Sequence, residues 1–178
     1  MEPWKIVYSA EEIRAAVAAV AREIDRDYAG REVLFLAVLK GAFIFLADLV
    51  REVRVPCAVD FVRISSYGAG TCTTGVPKER LRRTEPVAGR HVIVVEEVVD
   101  SGLTLRSLLE GLAAERPASL KVCALVNKTE RRQAEVPIDY RGFTLPGGFI
   151  VGYGMDYGER FRNLPDIRLL DLEPAVSS

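Results

Sequence analysis

The chain has 178 residues, of which 49% are hydrophobic and 28% are charged, and its formal net charge is -1. This length suits one domain with its own hydrophobic core, and we predict a single domain over residues 1–178. The near-neutral charge argues against a general nucleic-acid binder, and no apolar run approaches the roughly 18 residues that span a bilayer. Three cysteines without a C-x-x-C pair, and no signal-like N-terminal segment, predict a protein of the reducing cytoplasm.

The predicted elements alternate between helices and strands. Ser9 and Glu12 form a capping-box pattern, and apolar residues at helical spacing predict a first helix that ends before Gly30. The further elements predicted in chain order are a strand at 33–39, a helix at 42–53, strands at 57–64 and 92–95, a helix at 103–115 and a strand at 120–126. Because the strand at 33–39 is continuously apolar, we expect a parallel sheet covered on both faces.

Residues 65–90 interrupt this alternation. The segment is rich in glycine, hydroxyl and basic residues and shows no clear period. A loop of this length in a compact domain is usually functional, so we predict a lid, with room for a short hairpin inside it.

Three acids follow the strand at 92–95, immediately before a predicted helix. Glu96 and Glu97 come first, and Asp100 precedes Ser101 and Gly102 at the helix start. In open α/β sheets ligands collect at the carboxyl ends of strands, where a helix N-terminus offers unpaired N–H groups to a phosphate. The acids could accept hydrogen bonds from a sugar diol or hold Mg²⁺ through water.

The same spacing also fits solvated acids at a strand end, with Ser101 as a plain helix cap. However, three neighbouring acids after a very apolar strand repel one another unless a cation or polar ligand offsets their charge. We therefore favour a site for a ribose 5-phosphate group.

The segment VIVVEEVVDSGLTL resembles the signature with which type I phosphoribosyltransferases bind phosphoribosyl pyrophosphate (PRPP). The segments VLKGAFIF, SSYG, LVNKTERR and FIVGYGMDYGERFRNLP extend this likeness over nearly the whole chain, toward the hypoxanthine-guanine phosphoribosyltransferases. The resemblance implies an α/β fold with a mostly parallel twisted sheet, flanking helices, a small hood and a mobile lid at about 65–90. It also implies purine salvage: the 5-phosphoribosyl group of PRPP passes to N9 of hypoxanthine or guanine, giving IMP or GMP and pyrophosphate.

The resemblance assigns roles to residues that match the family motifs. It makes Asp100 the acceptor of the N7 proton, and it places Lys40, Gly41 and Arg162 at the pyrophosphate, with a Leu39–Lys40 peptide bond that can be cis. The residues expected at the 5-phosphate and ribose are Glu96, Glu97, Asp100, Ser101, Gly102, Leu103 and Thr104. Those expected at the purine are Lys128, Phe149, Ile150 and Asp156. Those expected to hold Mg²⁺, directly or through water, are Glu96, Glu97 and Asp156. Ser66 and Tyr67 are expected in the lid.

The sequence departs from the family pattern at Glu97, where the family usually has aspartate, and in the extra positive charge of the lid. Two other functions stay open: a xanthine-preferring transferase, and a nucleotide-sensing regulator that keeps this fold and binds RNA. For the favoured function, the partners are PRPP and a 6-oxopurine, without nucleic acid or membrane. The resemblance also suggests a homodimer or homotetramer.

Overall fold

The computed structural model describes residues 4–64, 79–81 and 83–170, and for 79–81 it describes the backbone alone. In chain order the elements are β1 (Trp4–Tyr8), α1 (Ala10–Asp27), β2 (Val33–Leu39), α2 (Phe43–Glu52), β3 (Cys57–Ile64), β4 (Glu79–Leu81), β5 (His91–Val99), α3 (Leu103–Ala114), β6 (Ser119–Lys128), β7 (Tyr140–Leu145), β8 (Phe149–Val151) and β9 (Ile167–Leu170).

The main sheet has six strands in the order β4-β3-β2-β5-β6-β7. The five strands from β3 to β7 in this order pair in parallel, and only β4 runs antiparallel, against β3. Alternate residues of β2 enter two different cores: Phe35 packs with α1 and α2, whereas Leu34 and Leu36 pack toward α3. Both faces of the sheet are therefore covered, which explains the unbroken apolar sequence of its central strands.

A second, antiparallel sheet with the order β1-β9-β8 forms the hood. β9 pairs with β1 on one side and β8 on the other, so the chain start is joined to its last described strand. β8 follows β7 after only three residues, which places the start of the hood beside the carboxyl end of the main sheet. Within the described ranges, no helix is both long and apolar enough to cross a bilayer.

The α/β architecture, the parallel sheet and the hood confirm the predicted fold class. α1 begins at the predicted capping box, in which Ser9 and Glu12 cap each other reciprocally. β2 and β3 have the predicted bounds, and β4, which lies within the predicted loop, pairs with β3 outside it. The predicted end of the strand at Val95 is wrong, because pairing with β6 continues through Val99 and carries Glu96 and Glu97 into the strand.

Candidate functional site

The predicted phosphate segment lies where β5 ends and α3 begins. A cavity of about 180 Å³, here called the phosphate cavity, is lined by Glu96, Val98, Val99, Asp100, Ser101, Gly102, Thr104 and Leu105. Gly102 is the residue before α3, has φ +79°, and leaves the helix start without a side-chain cap. The first N–H groups of α3 have no helical acceptor, and only that of Leu103 has a weak contact among the described residues, to the Ser101 hydroxyl at 3.4 Å. A helix start of this kind beside a cavity is the arrangement that binds phosphate.

A second loop braces this segment from the side. The Arg132 guanidinium donates to the carbonyl oxygens of Asp100 at 3.0 Å and Val99 at 3.3 Å. The N–H groups of Gln133 and Ala134 both donate to the carbonyl oxygen of Ser101, at 2.9 and 3.0 Å. A Cβ at Gly102 would overlap the carbonyl oxygen of Ala134, so only glycine fits here.

A larger cavity of about 420 Å³, here called the base cavity, opens beside the first. Its lining contains Glu97, Val98, Asp100, Lys128, Arg131, Gly148, Phe149, Ile150, Met155 and Asp156. All four predicted purine residues are therefore together. Phe149 is 38% exposed and meets the ring of Tyr157 edge-on at 5.4 Å between centroids, which leaves an aromatic face beside the cavity.

Lys128 is a buried lysine at the end of β6, not the solvated charge that its polar neighbours suggest. Its ammonium donates to the carbonyl oxygen of Gly148 at 2.7 Å and lies 3.8 Å from a carboxylate oxygen of Asp100. Burial lowers the pKa of Lys128, and the nearby Asp100 charge opposes that effect. The ammonium is thus held at the edge of the base cavity with donors to spare.

Asp100 lines both cavities. One of its carboxylate oxygens is buried and has no hydrogen-bond partner among the described residues, whereas the other faces Lys128. A buried acceptor without a donor is costly unless a ligand supplies one. Asp100 is therefore placed to accept a proton or hydrogen bond from a group that lies between the two cavities.

The predicted pyrophosphate residues Lys40 and Gly41 follow β2, and the Leu39–Lys40 peptide bond is cis. A Cβ at Gly41 would overlap the Glu97 carboxyl, and one at Gly154 would overlap the carbonyl oxygen of Gly41. The backbone at Gly41 therefore packs between the end of β5 and the loop after β8. Because Glu97 lines the base cavity, Gly41 lies next to that cavity.

Arg162, the third predicted pyrophosphate residue, contacts the loop that packs against Gly41. Its guanidinium donates to the carbonyl oxygen of Gly154 at 2.8 Å, and it pairs with Asp156 at 2.8 Å and Glu159 at 3.1 Å. The other carboxylate oxygen of Glu159 accepts from Lys40 at 2.9 Å. Glu159, which the sequence reading did not single out, therefore links the two predicted pyrophosphate cations.

Glu96 and Glu97 are the two carboxylates best placed to hold Mg²⁺. Burial, and then the charge of Glu97, raise the pKa of Glu96, while burial also raises the pKa of Glu97. Oε2 of Glu97 is buried and has no hydrogen-bond partner in the described part of the chain, so a cation or donor beside it would offset a real cost. These two residues fit Mg²⁺, which usually takes one or two carboxylates together with waters and substrate oxygens.

The predicted metal ligands also included Asp156. In the described parts of the chain, no three acidic, histidine or cysteine side chains converge closely enough to hold a metal ion. The carboxylate of Asp156 is instead engaged by Arg162 and by the N–H of Glu159. Coordination of Mg²⁺ by Glu96, Glu97 and Asp156, directly or through water, therefore stays a prediction.

Two groups of predicted residues fall elsewhere. Ser66 and Tyr67, with most of the predicted lid, lie outside the described residues. The Leu103 side chain is 43% exposed and does not line the phosphate cavity, so its contribution is confined to its backbone at the start of α3. Three residues were missed: Arg131, Arg132 and Glu159, which all lie in charged segments that are typical of solvated surface.

The fold and the two cavities define a class of protein. A parallel sheet carries a phosphate-binding helix start at its carboxyl edge, beside an aromatic-flanked cavity with a buried lysine. Two further cations, Lys40 and Arg162, lie near the base cavity. This arrangement is typical of an α/β protein that binds a phosphorylated sugar together with a planar base.

Comparisons with known proteins agree with this class. The sequence profile of the phosphoribosyl transferase domain matches residues 3–158. A hypoxanthine-guanine phosphoribosyltransferase of Mycobacterium avium is 44% identical over 93% of this chain and 85% of its own length. A hypoxanthine phosphoribosyltransferase of Salmonella typhimurium is 44% identical over 86% of this chain and 88% of its own.

A crystal structure of a hypoxanthine-guanine phosphoribosyltransferase from Bacillus anthracis superimposes with a TM-score of 0.87 at 39% identity, covering 96% of this chain and 99% of the other. The chain therefore belongs to the phosphoribosyltransferase family, among its hypoxanthine-guanine members.

Proposed function

We propose that this protein is an enzyme of purine salvage that transfers the 5-phosphoribosyl group of PRPP to N9 of hypoxanthine or guanine. The products are IMP or GMP and pyrophosphate. The observation that carries the proposal is the position of Asp100, which lines both the phosphate cavity and the base cavity and faces the buried ammonium of Lys128. The relatives named above support the same base and the same reaction.

The phosphate cavity suits the 5-phosphate and ribose. The N–H groups at the start of α3 and the hydroxyls of Ser101 and Thr104 would bind the phosphate oxygens. Glu96, lining the same cavity, would accept from the ribose hydroxyls. Because Arg132 fixes the loop in advance, little ordering is left for the moment of binding.

The base cavity suits a 6-oxopurine. The Lys128 ammonium would donate to the 6-oxo group, while Phe149 would stack on the ring and the backbone at Ile150 would contact its edge. Asp100 would accept the N7 proton as N9 bonds to C1 of the ribose. An amino group in place of the 6-oxo group would bring donor against donor at Lys128, so we expect adenine to be rejected.

Lys40, Gly41 and Arg162 would bind the pyrophosphate as it leaves. Two cations and the backbone at Gly41 would offset the charge that builds on its oxygens while the bond at C1 breaks. Mg²⁺ bound near Glu96 and Glu97 would supply further positive charge to the pyrophosphate oxygens. The protein itself contributes position and charge, with one proton transfer at Asp100.

We also propose that the protein works in the cytoplasm as a homodimer or homotetramer, without a nucleic-acid or membrane partner. A structural relative from Trypanosoma cruzi was studied for the role of its C-terminal region in oligomeric state, which supports testing assembly here. Light scattering coupled to size-exclusion chromatography would give the number of chains per particle. A monomer at working concentration would refute the assembly proposal.

The function is tested by turnover with PRPP, Mg²⁺ and each of hypoxanthine, guanine, xanthine and adenine. We expect IMP and GMP in equal amounts to the pyrophosphate released, little product from xanthine and none from adenine. A preference for xanthine would replace the proposed base, and no transfer with any base would refute the proposed reaction. RNA binding that falls steeply with salt, in a protein without transfer activity, would establish the regulator instead.

A further inference from the structure

Glu159 lies at the tip of a tight turn beside the pyrophosphate residues. Tyr157 and Arg160 exchange backbone hydrogen bonds of 3.1 and 3.2 Å across the turn. The two central residues both have positive φ, +59° at Gly158 and +65° at Glu159. Such a turn favours glycine or asparagine at these positions, so a glutamate here keeps a strained backbone.

The strained turn aims the carboxylate at the two predicted pyrophosphate cations. Lys40 contacts one oxygen at 2.9 Å, and Arg162 contacts the other at 3.1 Å. Among the acidic residues in the described ranges, only Glu159 contacts both cations. Its carboxylate therefore lies between the same donors that a pyrophosphate would need.

These ion pairs are easily exchanged. The side chains of Glu159 and Lys40 are 64% and 46% exposed, and that of Arg162 is 20% exposed. Because the carboxylate stays open to water in both pairs, water competes for its charge and weakens them. A pyrophosphate carries several negative charges, so it would repel the carboxylate and displace it from the cations. The free energy of the lost pairs is then subtracted from the affinity for pyrophosphate.

We propose that Glu159 is an intramolecular counter-anion of the pyrophosphate site, which competes with the pyrophosphate group for Lys40 and Arg162. It weakens binding of both PRPP and free pyrophosphate, and its return to the cations favours release of the product. Glu159 does not line the phosphate cavity at α3, so nucleotide monophosphates should escape the competition. This inference rests on the proposed function and adds a residue that sets affinity for the leaving group.

The test is Glu159→Gln, which keeps the length of the side chain and removes its charge. We expect the dissociation constant of magnesium pyrophosphate, measured by calorimetry, to fall roughly 3- to 10-fold, as the loss of two ion pairs with an exposed carboxylate allows. The KM for PRPP should fall with it, whereas IMP binding should stay within about 2-fold. Glu159→Gly, which relaxes the turn and removes the carboxylate, should shift pyrophosphate binding in the same direction.

Two controls separate competition from a general change of charge. Glu135→Gln removes another exposed carboxylate, at a residue that lines neither cavity, and should leave pyrophosphate binding unchanged. In a Lys40→Met background, competition predicts that Glu159→Gln loses at least half of its effect on a logarithmic scale, since one of the contested donors is gone. An equal effect in both backgrounds would instead identify a diffuse field and overturn the proposal.

Pyrophosphate binding that is unchanged or weaker in Glu159→Gln would also overturn it. The proposed function and the role of Glu159 can be refuted independently. A wild-type protein that makes no nucleotide from PRPP refutes the proposed function. A wild-type protein with normal turnover, whose Glu159→Gln variant binds pyrophosphate no tighter, refutes this inference alone.

Discussion

The two halves of the site are held in different ways. The Asp100–Gly102 loop is fixed through its backbone, by Arg132 and by the N–H groups of Gln133 and Ala134. Lys40 and Arg162 are instead joined through the exposed carboxylate of Glu159. Under the proposed function, the braced half binds the phosphate that remains with the product, and the exchangeable half binds the group that leaves.

This difference suggests a division of labour. A rigid loop costs little to order and places the ribose accurately, which matters throughout the reaction. Exposed ion pairs can be exchanged for substrate oxygens and re-formed when the product departs. Four substitutions test this division.

Asp100→Asn acts where the halves meet. The amide keeps the shape of the side chain but cannot accept the N7 proton, so we expect kcat to fall by roughly 10²-fold or more. Steady-state kinetics with hypoxanthine would measure the loss, and thermal unfolding would show that the variant stays folded. An unchanged kcat would exclude Asp100 as the base.

Gly102→Ala tests the rigidity of the braced half. The new Cβ meets the Ala134 carbonyl at a residue with positive φ, so we expect about 2–4 kcal/mol less stability toward urea. Gly89→Ala is the matched control, because Gly89 has φ +71° but open space around its Cα, and it should cost about 1 kcal/mol. Equal losses in the two variants, with PRPP binding retained, would mean that the loop deforms freely.

Arg132→Lys tests the brace itself. Lysine cannot replace a planar guanidinium that donates to several carbonyl oxygens at once, so we expect the KM for PRPP to rise about 10-fold. Arg141→Lys, at an exposed position on β7, should change nothing. If PRPP binding in Arg132→Lys matches the wild type, the brace has no part in placing the phosphate.

Glu97→Asp should have the smallest effect. It restores the residue that the family usually carries and draws the carboxyl away from Gly41 by one methylene. We expect a change of about 2- to 5-fold in the apparent affinity for PRPP or Mg²⁺, read from titrations of initial rate. Kinetics identical to those of the wild type would make Glu97 peripheral.

Much of the main sheet could be predicted from the sequence. The buried strands β2 and β3 are read directly from apolar runs, and α1 from its capping box. The hood strands could not be found in this way. β1 has only five residues with mixed exposure, and its partner β9 lies more than 150 residues further along, so its stability comes from distant packing and not from local pattern.

The site residues also differ in whether local sequence predicts them. Asp100, Ser101 and Gly102 follow from a strand, a glycine and a helix start, which are local signals. The purine and pyrophosphate residues were named only through family resemblance, because nothing in their own segments distinguishes Lys128 from a solvated lysine. Arg132 and Glu159 were missed because each lies in a charged loop. The local sequence of such a loop does not show that Arg132 contacts backbone carbonyl oxygens or that Glu159 contacts two cations.

A crystal structure with IMP bound is the decisive experiment, because it locates both halves of the product. We predict the 5-phosphate at the N-terminus of α3, the 6-oxo group at Lys128, and N7 within about 3.2 Å of an Asp100 carboxylate oxygen. A phosphate bound at Lys40 and Arg162 instead, or a base beyond the reach of Asp100, would contradict the account.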